Sequence, residues 1–508
     1  MSLRAENKEK LKQYLSRIEY IKYTRNALLY WDKVTYMPLE AIGYRSDILA
    51  FLGVEQQRRL NDPALAEVID YFRNQKKNDE VTAATLKRFD DTLQYVEKIP
   101  EKEYSNYIAL VSNAEQVWKE ANEKNDFSLL QPYLEKIFEY FVHFADEWGY
   151  EKHPYDALMG FYLDDVSVEQ MDGYLDAVKP VILDLLAKCD AKDEHQGEKR
   201  GKLLPEVRQI NTPKEKYRQI EKWTKTAIDM GFSLDRGRID FGSHTTILAA
   251  SPYDVRIVVN RSENDSIKAF YDFMHCLGKG IYQQSISTDL LGTLLAECPS
   301  FAMEEAVGRL YEDIIGRSKG FISAMKPYFT GCYEKEITED EIYQDVNRVS
   351  RSLIRVEADE LTYLIHIIIR YEIERGLIDG EYSVKDLREI WNEKYRKYLG
   401  VEPTSDSEGV LQDIHWAAGY VGYFPSYIVA NLISAQLFQK IAEVYGNIDD
   451  MLARGDFGTV RKWLTEHVFR SGAIYSTAEI VRRATGKELS PEPFIDYLRN
   501  KYSDIINR

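Results

Sequence analysis

His275 and Lys279 stand four residues apart in the segment Phe273-Met274-His275-Cys276-Leu277-Gly278-Lys279-Gly280-Ile281-Tyr282-Gln283-Gln284. On a helix, side chains at i and i+4 share one face. The spacing is that of His-Glu-x-x-His, in which two imidazoles hold a zinc ion and the glutamate serves as general base. Here Cys276 stands at the glutamate position and Lys279 at the second histidine. A lysine ammonium is a donor only and cannot ligate a metal while charged. No catalytic position of the motif is intact, Cys276 and Lys279 being the degenerate ones, and only His275 keeps the residue type of a ligand. Cys276 offers a second chemistry, that of a thiol nucleophile, which needs a base or a depressed pKa. No Cys-His-Asn order supports it. In the plainest reading, a single histidine on an amphipathic helix is a hydrogen-bonded boundary residue.

The element that must carry these residues is legible. Ser262-Glu263-Asn264-Asp265 reads as a helix start, with Ser262 and Asp265 spaced like a capping box. Ile267, Phe270, Met274, Leu277 and Ile281 then form an apolar stripe, with His275 and Lys279 together beside it. Gly278 and Gly280 each cost about 1 kcal/mol relative to alanine inside a helix, which close packing of another element would explain. Just upstream, Asp254-Val255-Arg256-Ile257-Val258-Val259 is the best strand candidate, a β-branched run with partial alternation. Elsewhere helical periodicity dominates. Leu11, Tyr14, Leu15, Ile18 and Ile21 recur at three- and four-residue steps, and the segments 104–124 and 127–148 behave likewise. The expectation is a mostly α chain with one small β-sheet and no internal repeat.

A length of 508 residues would allow about three domains. With 15 Pro, 28 Gly and no repetitive stretch, no linker separates them. A single domain over 1–508 is expected, with the polar stretch 191–201 as an exposed loop between two helical halves. The net charge of −17 argues against nucleic acid, whose phosphates call for clustered Lys and Arg. The four cysteines, Cys189, Cys276, Cys298 and Cys332, include no Cys-x-x-Cys pair, so neither a disulfide framework nor a zinc ribbon is indicated. The start is polar, without a signal core, and no run of about 18 apolar residues exists, so a cytoplasmic protein without a membrane span is expected.

Longer motifs point to a family. Ile354-Arg355-Val356-Glu357-Ala358-Asp359 matches Ile-Arg-x-x-Ala-Asp, and Gly409-Val410-Leu411-Gln412-Asp413-Ile414-His415-Trp416 matches Gly-x-x-Gln-Asp-x-His-Trp. Gly422-Tyr423-Phe424-Pro425-Ser426-Tyr427 follows, and Asp254-Val255-Arg256-Ile257-Val258 is similar to Asp-x-Arg-x-Thr with Val258 for threonine. Tyr30-Trp31-Asp32, Thr35 and Met37-Pro38 add a further stretch. In these motifs, over most of its length, the chain resembles the carboxypeptidase Taq family, also called thermostable carboxypeptidase 1, whose members are zinc metallocarboxypeptidases.

The resemblance implies a large multi-helix, groove-containing fold, release of C-terminal residues from peptides as the ancestral reaction, and a homodimer. It implies zinc in active relatives, while no cofactor is expected here. The family's third ligand is the glutamate of a His-Glu-Ser segment. The match here is Ala296-Glu297-Cys298, continuing to Glu304-Glu305-Ala306-Val307-Gly308-Arg309, so His275 and Glu297 are the inferred remnant ligands. The family's His-Pro-Phe segment stands as His244-Thr245-Thr246. Lys279 is expected to replace the metal by pairing its ammonium with Glu297. The resemblance makes Arg355 the binder of a peptide's C-terminal carboxylate, a role suited to a guanidinium's two parallel donors. An intrahelical pair with Asp359, four residues on, is the plainer alternative. It places Gln412, Asp413, His415 and Tyr423 at the substrate, with Asp254 and Arg256, which alternatively form a structural ion pair. The leading expectation is loss of zinc hydrolysis with retained binding of peptide C-termini. The alternatives are an active metallocarboxypeptidase rebuilt with His244 or Cys298 as third ligand, and a protein that reuses the fold to bind a partner.

Overall fold

The computed structural model describes residues 2–163, 165–196 and 206–507. It is mostly helical, with one three-stranded sheet, and its chain divides into two compact units. The first comprises Met1–Leu93, Leu204–Tyr343 and Leu437–Glu488; the second comprises Gln94–Leu203, Gln344–Gln436 and Leu489–Arg508.

In the first unit the predicted N-terminal periodicity forms the helix Leu3–Lys22, which buries Leu11, Leu15 and Ile18. These residues join Leu65, Ile69, Phe72, Leu86 and Phe89 from the helices Pro63–Arg73 and Glu80–Glu97 in one apolar cluster. The sheet consists of β1 (Gly237–Gly242), β2 (Thr246–Ser251) and β3 (Asp254–Asn260), in the order β1-β3-β2. β3 is the predicted strand. It pairs in parallel with β1 and antiparallel with β2, so its Val255, Ile257, Val258 and Val259 are buried at the sheet centre.

The motif helix runs from Ser266 to Ser285, so its start differs from the predicted capping box. Asp265, not Ser262, is the N-cap, accepting hydrogen bonds from Ile267 N and Lys268 N at 2.8 Å each. One carboxylate satisfies two of the orphan amides that open any helix. The stripe Ile267, Phe270, Met274, Leu277 and Ile281 is buried as expected. The two glycines mark close approaches. A Cβ on Gly278 would meet Val307 O at 2.7 Å, and one on Gly280 would meet the Phe232 ring at 3.1 Å.

In the second unit the predicted segments become the helices Glu101–Lys124 and Gln131–Trp148, the latter entered through a short turn at Phe127–Leu129. The helix Glu360–Ile378 is apolar on nearly every side and is buried almost throughout, as such helices must be. The predicted loop 191–201 is corrected in its first part. Residues 191–196 continue the helix Val168–Gln196, and 197–201 lie outside the described residues. Ala, Lys, Glu and Gln are strong helix formers, so polarity there does not end the helix.

Candidate functional site

Two clusters of charged side chains hold most of the candidate residues, one in each unit. In the first unit the helix Phe301–Arg309 and the wider turn Leu310–Ile315 pack against the motif helix. Gly308 makes this close: a Cβ there would meet the His275 ring at 2.6 Å. His275 lies flat in that space, with Nε2 3.1 Å from Glu305 and Nδ1 3.0 Å from Glu312. Both ring nitrogens therefore face carboxylates. Burial alone would lower the imidazole's pKa, but Glu305 and Glu312 outweigh it and raise it to about 9. The ring is accordingly an imidazolium near neutral pH.

Lys279, one turn further, sets its ammonium directly on Glu305, with Glu304 at 3.8 Å. Burial opposes the charge, and Glu305 and Glu304 hold it in place, keeping the amine protonated far above its ordinary range. Glu305 is buried too, yet Lys279 and His275 keep its carboxyl ionised well below the usual carboxylate range. Arg309 and Arg317 extend the network to Glu312 and Asp313.

This geometry corrects the predicted ligand set. The carboxylate facing His275 and Lys279 is Glu305, not Glu297. Glu297 instead pairs with Lys22 and with Arg88 at 2.6 Å, which against its burial lower its pKa to about 2. The predicted Lys279–Glu297 pair is thus a Lys279–Glu305 pair, because Glu305 sits on the helix packed against the motif face. The motif pocket also fails to fit a divalent metal as it stands. A metal would need the lone pairs of His275 and Glu305, and both groups are engaged in ion pairs with a chain-borne cation present. Among the described residues, no group of three His, Cys, Asp or Glu side chains is arranged to hold a metal ion.

The alternative donors lie elsewhere. His244 meets Tyr30 Oη at 3.2 Å and Ser243 Oγ at 3.0 Å. Cys298 Sγ accepts a hydrogen bond from Gln283 at 3.2 Å, and burial holds its thiol well above the ordinary range. Cys276 is buried as well, which pushes its thiol up to about 12 and opposes the nucleophile reading. Asp254 and Arg256 grip one another along β3, with Arg256 Nε and Nη2 donating to Asp254 at 2.8 and 2.9 Å. Tyr23 Oη donates to the same carboxylate at 2.7 Å, and the guanidinium stacks 4.5 Å above Trp31. The structural ion pair considered for these two residues is therefore present.

In the second unit Arg355 opens a single 3-10 turn, Arg355–Glu357, and is 8% exposed. The alternative Arg355–Asp359 pair does not form: Asp359 caps the next helix, accepting from Leu361 N and Thr362 N at 3.0 Å. Arg355 instead donates to Asp413 from Nε at 3.1 Å and from Nη2 at 2.9 Å, and from Nη1 to Tyr363 Oη at 3.3 Å. Arg370 approaches the same carboxylate at 2.5 Å. Burial opposes ionisation of Asp413, but the two guanidiniums hold it far below the usual carboxylate range. Gln412 Oε1 accepts from Arg355 N at 2.9 Å and Arg370 Nη2 at 3.0 Å, while its amide nitrogen donates to Leu353 O, Tyr395 Oη and Glu408 O. His415 stacks on Tyr423 with ring centres 5.3 Å apart, and burial lowers its pKa to about 4, so it is neutral. Tyr423 shares a hydrogen bond of 2.8 Å with Tyr427. The structure thus brings together Arg355, Gln412, Asp413, His415 and Tyr423.

Among the cluster residues that the sequence reading did not assign to a site are Glu305, Glu312, Arg370 and Glu374. Glu374 accepts from Tyr155 Oη at 2.5 Å, Trp416 Nε1 at 2.7 Å and Gly422 N at 2.8 Å. The signal for Arg370 and Glu374 was available. Tyr363, His366, Arg370 and Glu374 recur at three- and four-residue steps inside a helix rich in leucine and isoleucine. A polar stripe on a buried helix must find polar partners.

The fold is mostly helical with a three-stranded sheet beside the motif helix, and the two long motifs meet in one arginine cluster. The model of carboxypeptidase Taq (M32) metallopeptidases matches residues 10–502, and the chain belongs to that family. Carboxypeptidase 1 of Bacillus subtilis is 37% identical over 490 residues, covering 94% of this chain and 95% of that protein. Thermostable carboxypeptidase 1 of Pyrococcus furiosus is 30% identical over 503 residues, covering 97% and 98%. Among solved structures, the M32 carboxypeptidase from Deinococcus radiodurans R1 superposes with a TM-score of 0.92 at 28% identity, covering 99% of this chain and 100% of that one. No helix among the described residues is long and apolar enough to cross a membrane.

Proposed function

We propose that this chain is a metallocarboxypeptidase-family protein that has lost metal-dependent hydrolysis and retains the ability to bind peptide C-termini. The observation that carries the first half is the Lys279 ammonium seated on Glu305 beside His275. Metal hydrolysis needs a Lewis acid held by three protein groups and a carboxylate to take a proton from water. Here the place of one ligand is taken by a permanent cation, and a protonated thiol stands at the base position. The cation neutralises Glu305 without a metal.

The second half rests on the charge of the other cluster. Arg355 and Arg370 share one carboxylate, Asp413, so two positive charges face one negative. His415, neutral beside them, adds no charge. Three of the five Arg355 donors have described partners, which leaves two N–H groups for a ligand. A peptide's terminal carboxylate would supply the missing negative charge and accept from both. The same reading takes the active form to be a homodimer and its place to be the cytoplasm.

The test has two arms. Protein purified without chelator and then equilibrated with zinc is expected to carry no metal above background, and to leave blocked dipeptides intact with zinc or cobalt. Calorimetry is expected to show binding of N-acetyl-Ala-Ala-Phe but not of its C-terminal amide. Stoichiometric zinc with hydrolysis would overturn the first half. Equal binding of acid and amide, or none of either, would overturn the second.

A further inference from the structure

The helix Glu360–Ile378 holds the arginine cluster from one face. Arg370 secures Gln412 and Asp413. One turn on, Glu374 secures Trp416 and Gly422, the sequence neighbours of His415 and Tyr423. Gly422 makes this attachment possible. Its backbone lies at φ +83°, and a Cβ would meet the Leu158 backbone at 2.7 Å, so its N–H reaches a carboxylate that a bulkier residue would hold off. The third donor, Tyr155, comes from the helix Pro154–Met159, so one carboxylate ties together three separate stretches of chain.

Resting on the reading of this cluster as a carboxylate pocket, we propose that Glu374 is its positioning residue: it clamps the 416–422 turn to the helix bearing Arg370 and sets the net charge that Arg355 presents to a ligand. Glu374 touches no ligand itself. The groups facing it are Tyr155 and Tyr162 from the preceding segment, Arg370 on its own helix, and the uncharged Trp416 and Gly422 from the turn. Burial raises its carboxyl to about 7 against the three hydrogen bonds it accepts. Protonated, it leaves the excess charge of the cluster intact; ionised, it offsets the charge of Arg370. Glutamine keeps the size of the side chain and cannot ionise, but its NH2 group faces a donor where a carboxyl oxygen accepted one.

The experiment is calorimetric titration with N-acetyl-Ala-Ala-Phe, and with its amide, from pH 6 to 8.5, on the full-length wild type, Glu374→Gln and Glu374→Ala. Wild-type affinity for the acid is expected to fall about three- to tenfold as the pH rises. Glu374→Gln is expected to stay flat across this range. Glu374→Ala, with a folded circular dichroism spectrum, is expected to bind about tenfold more weakly or worse at every pH. A wild-type pH slope in Glu374→Gln overturns the inference, as does wild-type affinity in folded Glu374→Ala. If Glu374→Ala does not fold, Glu374→Gln decides alone. A wild type that binds acid and amide alike instead sinks the carboxylate-pocket reading on which the inference rests.

Discussion

The two charged clusters of this chain are built from the same kinds of residue and reach opposite balances. In the motif cluster, the ion pairs join four cations, His275, Lys279, Arg309 and Arg317, to four carboxylates, Glu304, Glu305, Glu312 and Asp313. In the arginine cluster, two guanidiniums share one carboxylate, the nearby His415 is neutral, and the balance stays positive while Glu374 is protonated. A buried ionic network that closes on itself has no electrostatic demand left for a ligand. One that stays open does, because an unpaired charge in a low-dielectric site is costly. On the function proposed above, the difference separates a pocket filled by its own chain from one that would take an anion.

The strongest way to break this comparison is to empty the filled pocket. Lys279→Met leaves Glu305 facing only His275, and should cost about 3–5 kcal/mol of stability, since one partner of a buried pair is removed. Urea unfolding measures it. Lys279→His combined with Cys276→Glu replaces the ammonium with a ligand and the thiol with a base. With His275 and Glu305 it offers three ligands, and zinc should then bind near stoichiometrically and raise the unfolding midpoint. A variant that folds but ignores zinc would show that the pocket has diverged beyond those two side chains.

Arg355→Ala addresses the open cluster. It should cost about 2–3 kcal/mol in affinity for a free-acid peptide, a loss of roughly 30- to 150-fold, through the charged donors it removes. Affinity for the corresponding amide should not change. Because Arg370 still pairs with Asp413, the stability loss should be smaller than for Lys279→Met. If the two variants lose equal stability and peptide affinity is untouched, the arginine cluster is as closed as the motif cluster, and the contrast fails.

The motif residues and the mostly helical class were legible because they depend on local spacing. His275 and Lys279 share a face simply because they lie four apart, and the stripe from Ile267 to Ile281 fixes which face is inside. Glu305 was not legible. It reaches the pocket through a turn of about 15 residues after the motif helix, and Ala296-Glu297-Cys298 offered an equally good local match to the expected segment. Only packing decides between them: the Gly308 gap that admits the imidazole ring is a property of two helices, not of one sequence window. β1 and β2 were missed for a related reason. Gly-Arg-Ile-Asp-Phe-Gly has glycine at both ends and two charged residues, and it becomes a strand because β3 lies beside it.

Stability should report the motif cluster through pH. His275 has its pKa raised from 6.5 to about 9, so its contribution is fully present below 6.5 and is lost as the pH rises through 9. Glu312, which Arg309 and His275 lower against its burial from 4.5 to about 2, contributes above 4.5 and loses that contribution as the pH falls towards 2. Thermal unfolding should therefore show an alkaline decline between about 6.5 and 9. His275→Gln should abolish that decline while leaving the acid side in place. An unchanged alkaline limb in the variant would mean that the imidazole is not the charged centre of the closed network.

The smallest effect should come from Glu297, and its smallness sharpens the comparison. Its partners Lys22 and Arg88 are 45% and 29% exposed, so the pairs lie where water screens them. Glu297→Gln should cost about 1 kcal/mol or less. In the Lys279→His, Cys276→Glu background it should leave zinc binding intact, whereas Glu305→Gln there should weaken it by at least tenfold, about 1.4 kcal/mol. The two glutamates are eight residues apart and both carry low pKa values for the same electrostatic reason. What distinguishes them is the neighbour each meets: Glu297 ties the loop after the motif helix to two partly exposed cations, while Glu305 pairs with the buried Lys279. If Glu297→Gln abolished zinc binding and Glu305→Gln did not, the pocket would have to be redrawn around the loop.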